Sequence, residues 1–514
     1  MTPKANRRSA TLTHIVTALL VASTLHGATA NAASFQYRHP IMGLVASPTA
    51  QAQQAATEIL VALTSGPTLP AGEVNWPYSY DLKQLLSVTG DPSYNASNVS
   101  WELQSGALPA GLSLGTDGVL SGVPTTKDTV GSSFQVKATY KTKTGQQAYT
   151  IVVNGAVLHV TQISAGALHT CAVTTTGGVK CWGSNAYGQL GNNSSVNSYV
   201  PVAVVGLDTG VASISMGGTH SCALTTSAGI KCWGRDNYGQ LGNDTALTNR
   251  PTPVDVQGLT SGVVRIAAGY EYTCAVTTSG DAKCWGFNAD GQVGDGSTSN
   301  RALPVSVGGL PVGVKHISAG QVHTCAITTT GSAVCWGNNG YGQLGNNSTA
   351  NSSVPVTVSG LTTGVAGISV GTYHTCAVLT SGGGKCWGYN SFGQVGDGTT
   401  NSPRLTPTAV SGFATSGIAT IATGYAHTCA ITTSGGAKCW GYNSYGQVGD
   451  GTLTNRVTPV DVSGFTSGVL SITGGNGHTC LLSQAGPMCW GRNDKGQVGD
   501  NSTTFRSTPV AVLP

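Results

Sequence analysis

The run His169-Thr170-Cys171-Ala172-Val173-Thr174-Thr175-Thr176-Gly177-Gly178-Val179-Lys180-Cys181-Trp182-Gly183 sets two cysteines symmetrically about Thr176. β-Branched residues on both sides of a Gly-Gly pair read as two strands joined by a turn. A hairpin turning there places Cys171 opposite Cys181. Directly opposed residues at a non-hydrogen-bonded antiparallel pair lie roughly 4.5 Å apart at Cα, within the roughly 4.4 to 6.8 Å that a disulfide spans. The run therefore predicts a hairpin closed by its own disulfide.

The run recurs six more times, pairing Cys222 with Cys232, Cys274 with Cys284, Cys325 with Cys335, Cys376 with Cys386, Cys429 with Cys439 and Cys480 with Cys489, which accounts for all 14 cysteines. Successive first cysteines are 51, 52, 51, 51, 53 and 51 residues apart. Such a period marks an array of supersecondary units that bury their faces against one another. Each unit begins with a β-type run such as Ile163-Ser164-Ala165-Gly166. After Cys-Trp-Gly it carries Gly-Gln-Leu/Val-Gly, from Gly188-Gln189-Leu190-Gly191 to Gly496-Gln497-Val498-Gly499, and it ends on a run such as Pro201-Val202-Ala203-Val204. Four short strands per unit make a propeller blade, so residues 156–514 are expected to form a seven-bladed β-propeller. The last hairpin is one residue shorter and needs a different turn.

With Gly-x-x-His-Thr, Trp-Gly-x-Asn and Gly-Gln-Leu-Gly recurring in register, this segment resembles the regulator of chromosome condensation repeat family, whose type member is a seven-bladed β-propeller. Kelch-type propellers have a similar period of about 50 residues and would change blade topology, not shape. Residues 67–155 alternate short apolar runs with Gly and Pro, as in Phe134-Gln135-Val136-Lys137-Ala138-Thr139-Tyr140, and read as an antiparallel sandwich. Leu108-Pro109-Ala110-Gly111-Leu112-Ser113-Leu114 followed by Gly118-Val119-Leu120-Ser121-Gly122-Val123-Pro124 resembles the immunoglobulin-like domains of bacterial surface proteins, here without a cysteine. The expected fold class is all-β: a seven-bladed propeller preceded by an immunoglobulin-like β-sandwich.

Lys4, Arg7 and Arg8, an apolar stretch from Ile15 to Leu25, and the small residues Ala28-Thr29-Ala30 and Ala30-Asn31-Ala32 read as a signal peptide over residues 1–32. The stretch is short for a membrane span, which takes about 20 residues. Residues 33–66 read as a joiner. Losing residues 1–32 lowers the net charge from +4 to +1, which leaves no electrostatic footprint for nucleic acid. Evenly paired cysteines agree with an oxidising compartment, so the expected address is secreted or cell-surface, the periplasm included. Charged residues make up 9% of the chain, against about 25% in ordinary globular proteins, leaving Gly, Ser, Thr and Asn to form most of the surface.

Several repeated residues are candidates for chemistry. A histidine stands two positions before the first cysteine at His169, His220, His323, His374, His427 and His478, a spacing that shares a strand face and could build zinc sites. Copy three has Tyr272 instead while keeping both cysteines, which favours a structural role, so no metal is expected. Trp182, Trp233, Trp285, Trp336, Trp387, Trp440 and Trp490 read as inter-blade packing rather than a carbohydrate surface. Gly-Gln-x-Gly is no phosphate loop, since no Lys-Ser/Thr follows.

Five copies carry Asp and then Arg six or seven residues on: Asp244 with Arg250, Asp295 with Arg301, Asp397 with Arg404, Asp450 with Arg456 and Asp500 with Arg506. Copies one and four lack both and read Asn192-Asn193 and Asn346-Asn347. Joint loss favours a local ion pair pinning each loop; the functional alternative is a cationic ring open to an acidic ligand. One Asp per Gly-Asp-Gly turn is too few oxygens for calcium.

The expected function is non-catalytic binding of an unknown protein or glycan outside the cytoplasm by a monomeric propeller without a cofactor. The loops after each Gly-Gln-x-Gly differ most and would form the binding face. The resemblance adds two readings: a secreted inhibitor of an enzyme such as a β-lactamase, for which Tyr199 and Phe505 are the loop aromatics, and guanine-nucleotide exchange. A polysaccharide-active lyase or hydrolase is the enzymatic alternative. His159 and His316 stand outside the repeat pattern, neither with a carboxylate nearby in sequence, and no catalytic motif accompanies them.

Overall fold

A computed structural model describes residues 58–514, apart from residues 67, 245, 311 and 312. The expected signal segment and most of the expected joiner lie outside the described residues.

The repeats form seven four-stranded antiparallel sheets. Blade 1 consists of Val160–Ala165, His169–Thr174, Val179–Gly183 and Ser198–Ala203, and blade 7 of Val469–Gly474, His478–Ser483, Gly486–Gly491 and Arg506–Ala511. Every blade takes its four strands consecutively from the chain. The ring therefore closes by side-by-side packing of blades 7 and 1, without either end of the chain lending a strand to the other.

Within each hairpin the two cysteines are direct partners across the strands. Cys171 faces Cys181 in blade 1, Cys222 faces Cys232 in blade 2, Cys274 faces Cys284 in blade 3 and Cys325 faces Cys335 in blade 4. Cys376 faces Cys386 in blade 5, Cys429 faces Cys439 in blade 6 and Cys480 faces Cys489 in blade 7. All seven pairs are bridged inside their own blade, with Cα atoms 4.0 to 4.1 Å apart. That spacing lies just under the range expected from the sequence, because the facing strands are drawn to their closest antiparallel approach. The blade 7 hairpin turns tightly, Ser483 pairing Gly486, where blade 1 ends its pairing at Val173 and Val179. The missing residue comes out of the turn, and the cysteine register is kept.

Apolar cores lie between blades. Cys171, Val173, Cys181, Leu190 and Val204 of blade 1 pack with Ile214, Ala223 and Trp233 of blade 2, and the seam of blades 7 and 1 repeats this with Cys480, Cys489, Val498, Ile163, Ala172 and Trp182. All seven motif tryptophans are fully buried. Gly191 explains the last residue of Gly-Gln-x-Gly: its φ is +70°, and a Cβ there would stand 2.7 Å from Nε1 of Trp233 in the next blade. Only glycine meets both conditions.

The N-terminal sandwich pairs Gly72–Glu73, Lys143–Asn154, Asp128–Tyr140 and Ser100–Gly106 in one sheet, and Tyr78–Asp81, Val119–Gly122 and Leu112–Leu114 in another. Trp101, Phe134, Val136, Ile151 and Leu120 fill its core. Leu60–Leu63 also belongs to it, paired with Leu86–Thr89. The sandwich thus starts earlier than residue 67; the Leu-Val-Ala-Leu run is too short to stand out as a strand until its partner is seen. At the junction, Glu73 accepts hydrogen bonds from the backbone N–H of Val157 at 2.7 Å and from His159 Nε2 at 2.9 Å, while Trp76 stacks on the His159 ring at 3.8 Å.

Candidate functional site

The repeated histidines are spoken for by the ring itself. His169 Nε2 lies 2.9 Å from the Ser221 hydroxyl of the next blade, and that hydroxyl donates to the Gln189 carbonyl at 2.8 Å. Trp233 Nε1 donates to the same carbonyl at 2.9 Å. The pattern repeats for His220 with Thr273, His323 with Thr375, His374 with Thr428, His427 with Thr479 and His478 with Thr170. A hydroxyl that gives its single proton to the carbonyl can only accept from the ring, which fixes the imidazole as the Nε2–H tautomer. Burial pushes these rings down to about 3 or 4, so they are neutral at pH 7. Tyr272 completes the wheel, its hydroxyl donating to the His323 carbonyl at 2.7 Å and standing 2.9 Å from the Thr324 hydroxyl. The Gln of Gly-Gln-x-Gly thus supplies the backbone carbonyl on which each seam converges.

The five arginines are each tied down. Arg250, Arg301, Arg404, Arg456 and Arg506 pair with Asp244, Asp295, Asp397, Asp450 and Asp500 at 2.5 to 2.7 Å. Apart from Asp244, the carboxylates are nearly buried and also accept from a Ser or Thr two residues on, as Asp397 does from Thr399. Burial works to raise Asp295, Asp397, Asp450 and Asp500, but hydrogen bonds from the serine or threonine two residues on and from the arginine together hold them below the usual carboxylate range. The arrangement is five local pairs rather than a free cationic ring.

What the ring leaves unpaired is aromatic. Two variable positions, the residue after Trp-Gly and the residue before Gly-Gln, meet across the seams between blades. Tyr187 meets Arg235 at 5.1 Å, Tyr238 meets Phe287 at 5.0 Å, Tyr341 meets Tyr389 at 4.9 Å, Phe392 meets Tyr442 at 4.9 Å and Tyr445 meets Arg492 at 5.5 Å. At the blade 3 and 4 seam the same positions hold Asp290 and Asn338, hydrogen-bonded at 2.9 Å. Tyr373 adds to the cluster at 5.2 Å from Tyr341, and Phe505 extends it at 5.4 Å from Tyr445. Tyr341, Tyr373, Tyr389, Phe392, Tyr425 and Ala426 line a hollow of about 270 Å³.

Tyr425 also borders the mouth of the central channel, where the Gly-x-x-His turns of six blades and the Gly-x-x-Tyr turn of blade 3 converge on a space of about 100 Å³. One face therefore carries a half-exposed aromatic arc around a small-residue centre. Arg235 bridges Tyr187 and Tyr238 and forms an ion pair with Glu271 at 2.7 Å. Burial raises the Tyr373 hydroxyl, with Tyr425, Tyr341 and the Asp290 carboxylate adding to it.

Sequence reasoning named Phe505 from this arc and missed the rest; Tyr199, the other loop aromatic it named, is exposed on the strand Ser198–Ala203. The signal was present in the two variable positions inside otherwise fixed motifs, but adjacency needs the stacking of blades about 51 residues apart. His316, on the inner strand Val314–Ala319, is pushed down to about 4 by burial and then by Arg265; His159 serves the junction.

Comparison with known proteins places these features. The regulator of chromosome condensation (RCC1) repeat matches six times between residues 176 and 482, and a second form of the repeat six times between 160 and 447. The family described as "Putative Ig domain" matches residues 60–154. The ultraviolet-B receptor UVR8 of Arabidopsis thaliana is 32% identical over 307 residues, covering 58% of this chain and 69% of that protein. The human E3 ubiquitin-protein ligase HERC2 is 34% identical over 277 residues, 53% of this chain but only 6% of that protein. Among solved structures, human WBSCR16 aligns with a TM-score of 0.57 at 24% identity, covering 65% of this chain and 88% of the other. Yeast RCC1 (Prp20), solved bound to Kap60, aligns with a TM-score of 0.59 at 20% identity over 70% of this chain and 85% of the other.

Proposed function

The chain belongs to the regulator of chromosome condensation repeat family, and from that premise we propose that it is a non-catalytic binding protein whose ligand is a protein held on the aromatic face outside the cytosol. The carrying observation is the arc from Tyr341 through Tyr389, Phe392, Tyr442 and Tyr445 to Phe505, built on the positions that vary from blade to blade. Tyrosine and arginine are the residues that dominate protein-binding hot spots, and they lose little entropy on contact because their neighbours already hold them. The rings meet mainly edge to face, which leaves a ridged surface suited to shape complementarity with a folded partner rather than a flat stacking platform for sugars. The seven disulfides and the basic-then-apolar start of the chain support the extracellular address.

The test compares wild type, a variant carrying both Tyr341→Ala and Tyr389→Ala, and Arg404→Ala as capture reagents against the native extracellular milieu, with melting temperatures recorded for all three. The expected result is one species retained by wild type and Arg404→Ala and lost by the aromatic variant, which still melts within a few degrees of wild type. Retention by the aromatic variant and loss by Arg404→Ala would return the binding role to the arginine ring.

A further inference from the structure

Blade 2 departs from the other six at one buried atom. In those six, the Asn of Trp-Gly-x-Asn accepts through Oδ1 from the backbone N–H five residues on, as Asn185 does from Leu190 at 2.9 Å. Its Nδ2 donates to three oxygens: a side-chain oxygen seven residues on and the carbonyls nine and eleven residues on. Asn185 makes these bonds to Asn192, Ser194 and Val196, and Asn339 to Asn346, Ser348 and Ala350. The same triad is made by Asn288, Asn390, Asn443 and Asn493. The amide is the donor at the heart of each loop.

Blade 2 has Asp236 there. Its Oδ1 keeps the common bond, accepting from Leu241 at 2.9 Å, so Oδ2 takes the place of the Nδ2 donor. An acceptor now stands where the repeat surrounds the amide with acceptors. Asp236 is completely buried, and Oδ2 has no hydrogen-bond partner among the described residues; Oδ1 of Asn243, the side chain seven residues on, is buried and partnerless among them too. No nearby donor reaches Oδ2, although Nε of Arg250 and Nε of Arg235 are themselves buried and partnerless among the described residues. Asn243 Nδ2 donates to Asp244 Oδ2 at 3.0 Å, Arg250 donates to the same oxygen at 2.7 Å, and Arg235 is committed to Glu271. The loop is also longer: the N–H of Asp236 is capped thirteen residues on, by Asn249, against twelve in blade 1.

A buried carboxylate oxygen that no donor reaches is stabilised by a proton or a cation placed at that oxygen. The donor set is oxygen alone, the preference of a hard cation that completes its shell with main-chain carbonyls and water. We propose that blade 2 binds a hard divalent cation, calcium being the probe, at Asp236 Oδ2 and Asn243 Oδ1, in the position the asparagine amide fills in every other blade. Burial, opposed by the Leu241 N–H and the Arg250 charge and reinforced by Asp244, raises the Asp236 carboxyl to about 6. This site is independent of the aromatic face, and its failure would leave that reading untouched.

Asp236→Asn restores the repeat and supplies the test. Chelator-treated full-length protein is melted at pH 7.5 with and without calcium, and bound calcium is measured by equilibrium dialysis. The expected result is that calcium raises the wild-type melting temperature by about 2 to 4 °C, with one ion per chain. Asp236→Asn starts higher, binds no ion and does not respond; Asn243→Ala weakens binding at least about tenfold, as loss of a direct ligand should. Wild type that neither binds calcium nor shifts, while the advantage of Asp236→Asn disappears below about pH 6, would overturn the proposal and assign the position to a proton. Equal binding by wild type and Asp236→Asn would also overturn it, by placing the ion elsewhere.

Discussion

His478 in the last blade donates through Nε2 to the Thr170 hydroxyl in the first at 2.9 Å, matching the 2.7 to 2.9 Å of the other histidine seams. The join between chain ends is therefore chemically equivalent to the internal seams, although no strand crosses it. Thr170 carries the same double duty as its counterparts, donating to the Gln497 carbonyl at 2.9 Å.

Removing that hydroxyl leaves a buried imidazole N–H without an acceptor. Thr170→Val and Thr375→Val should each lower stability by about 1 to 3 kcal/mol, and by similar amounts because their surroundings match. Urea unfolding monitored by tryptophan fluorescence measures both. A far larger loss for Thr170→Val would show that the closing seam is the weak one.

The six wheel histidines set an acid limit. Their native values of about 3 to 4 lie below the unfolded value of about 6.5, so between these limits the unfolded chain binds protons that the native chain refuses. Stability is level above about pH 6.5 and falls as pH drops towards 4, by up to about 1.4 kcal/mol per pH unit for each histidine. Asp236, raised to about 6, works in the opposite sense between about pH 6 and 3.9, one group against six. Melting curves at pH 7.5, 6 and 5 check this, and a flat profile contradicts the buried neutral wheel.

All 14 sulfurs belong to fully buried residues. Native protein treated with a thiol reductant and then an alkylating agent should gain no label until denaturant is added. Replacing Cys376 and Cys386 together by alanine should lose about 2.8 kcal/mol or less from the chain-entropy contribution of an 11-residue loop, because the hairpin partly forms before the bridge does. Labelling of native protein would mean that blades open singly.

Glu73 ties sandwich to propeller through two bonds from one oxygen, to Val157 and His159. Glu73→Ala should leave the propeller transition unchanged and speed proteolytic cleavage between residues 154 and 159, read by mass spectrometry of the fragments. Unchanged cleavage would place the rigidity in the Trp76 stack instead.

The scaffold was legible because its determinants are identical in every copy. Cysteine spacing announced the hairpins, from Cys222 with Cys232 and Cys274 with Cys284 to Cys429 with Cys439, and each bridge joins the partners that spacing implied. Tyr272 in place of histidine announced a hydrogen-bonding position, and the joint loss of Asp and Arg in copies one and four announced the ion pairs. Leu60–Leu63 stayed hidden because a four-residue strand carries too little pattern without its partner. The aromatic face was hidden for the opposite reason. Tyr341 and Tyr389 are 48 residues apart in sequence and occupy different motif positions, so only the stacking of neighbouring blades makes them adjacent. Asp236 was visible as a lone departure from Asn, but its meaning needed the three oxygens that the amide serves elsewhere.

Because every blade is assembled from neighbouring strands and every bridge joins cysteines 9 or 10 positions apart, oxidation can keep pace with synthesis. As the polypeptide lengthens from its amino end, each thiol meets its proper mate before the next pair has appeared. That order of arrival works against scrambled isomers.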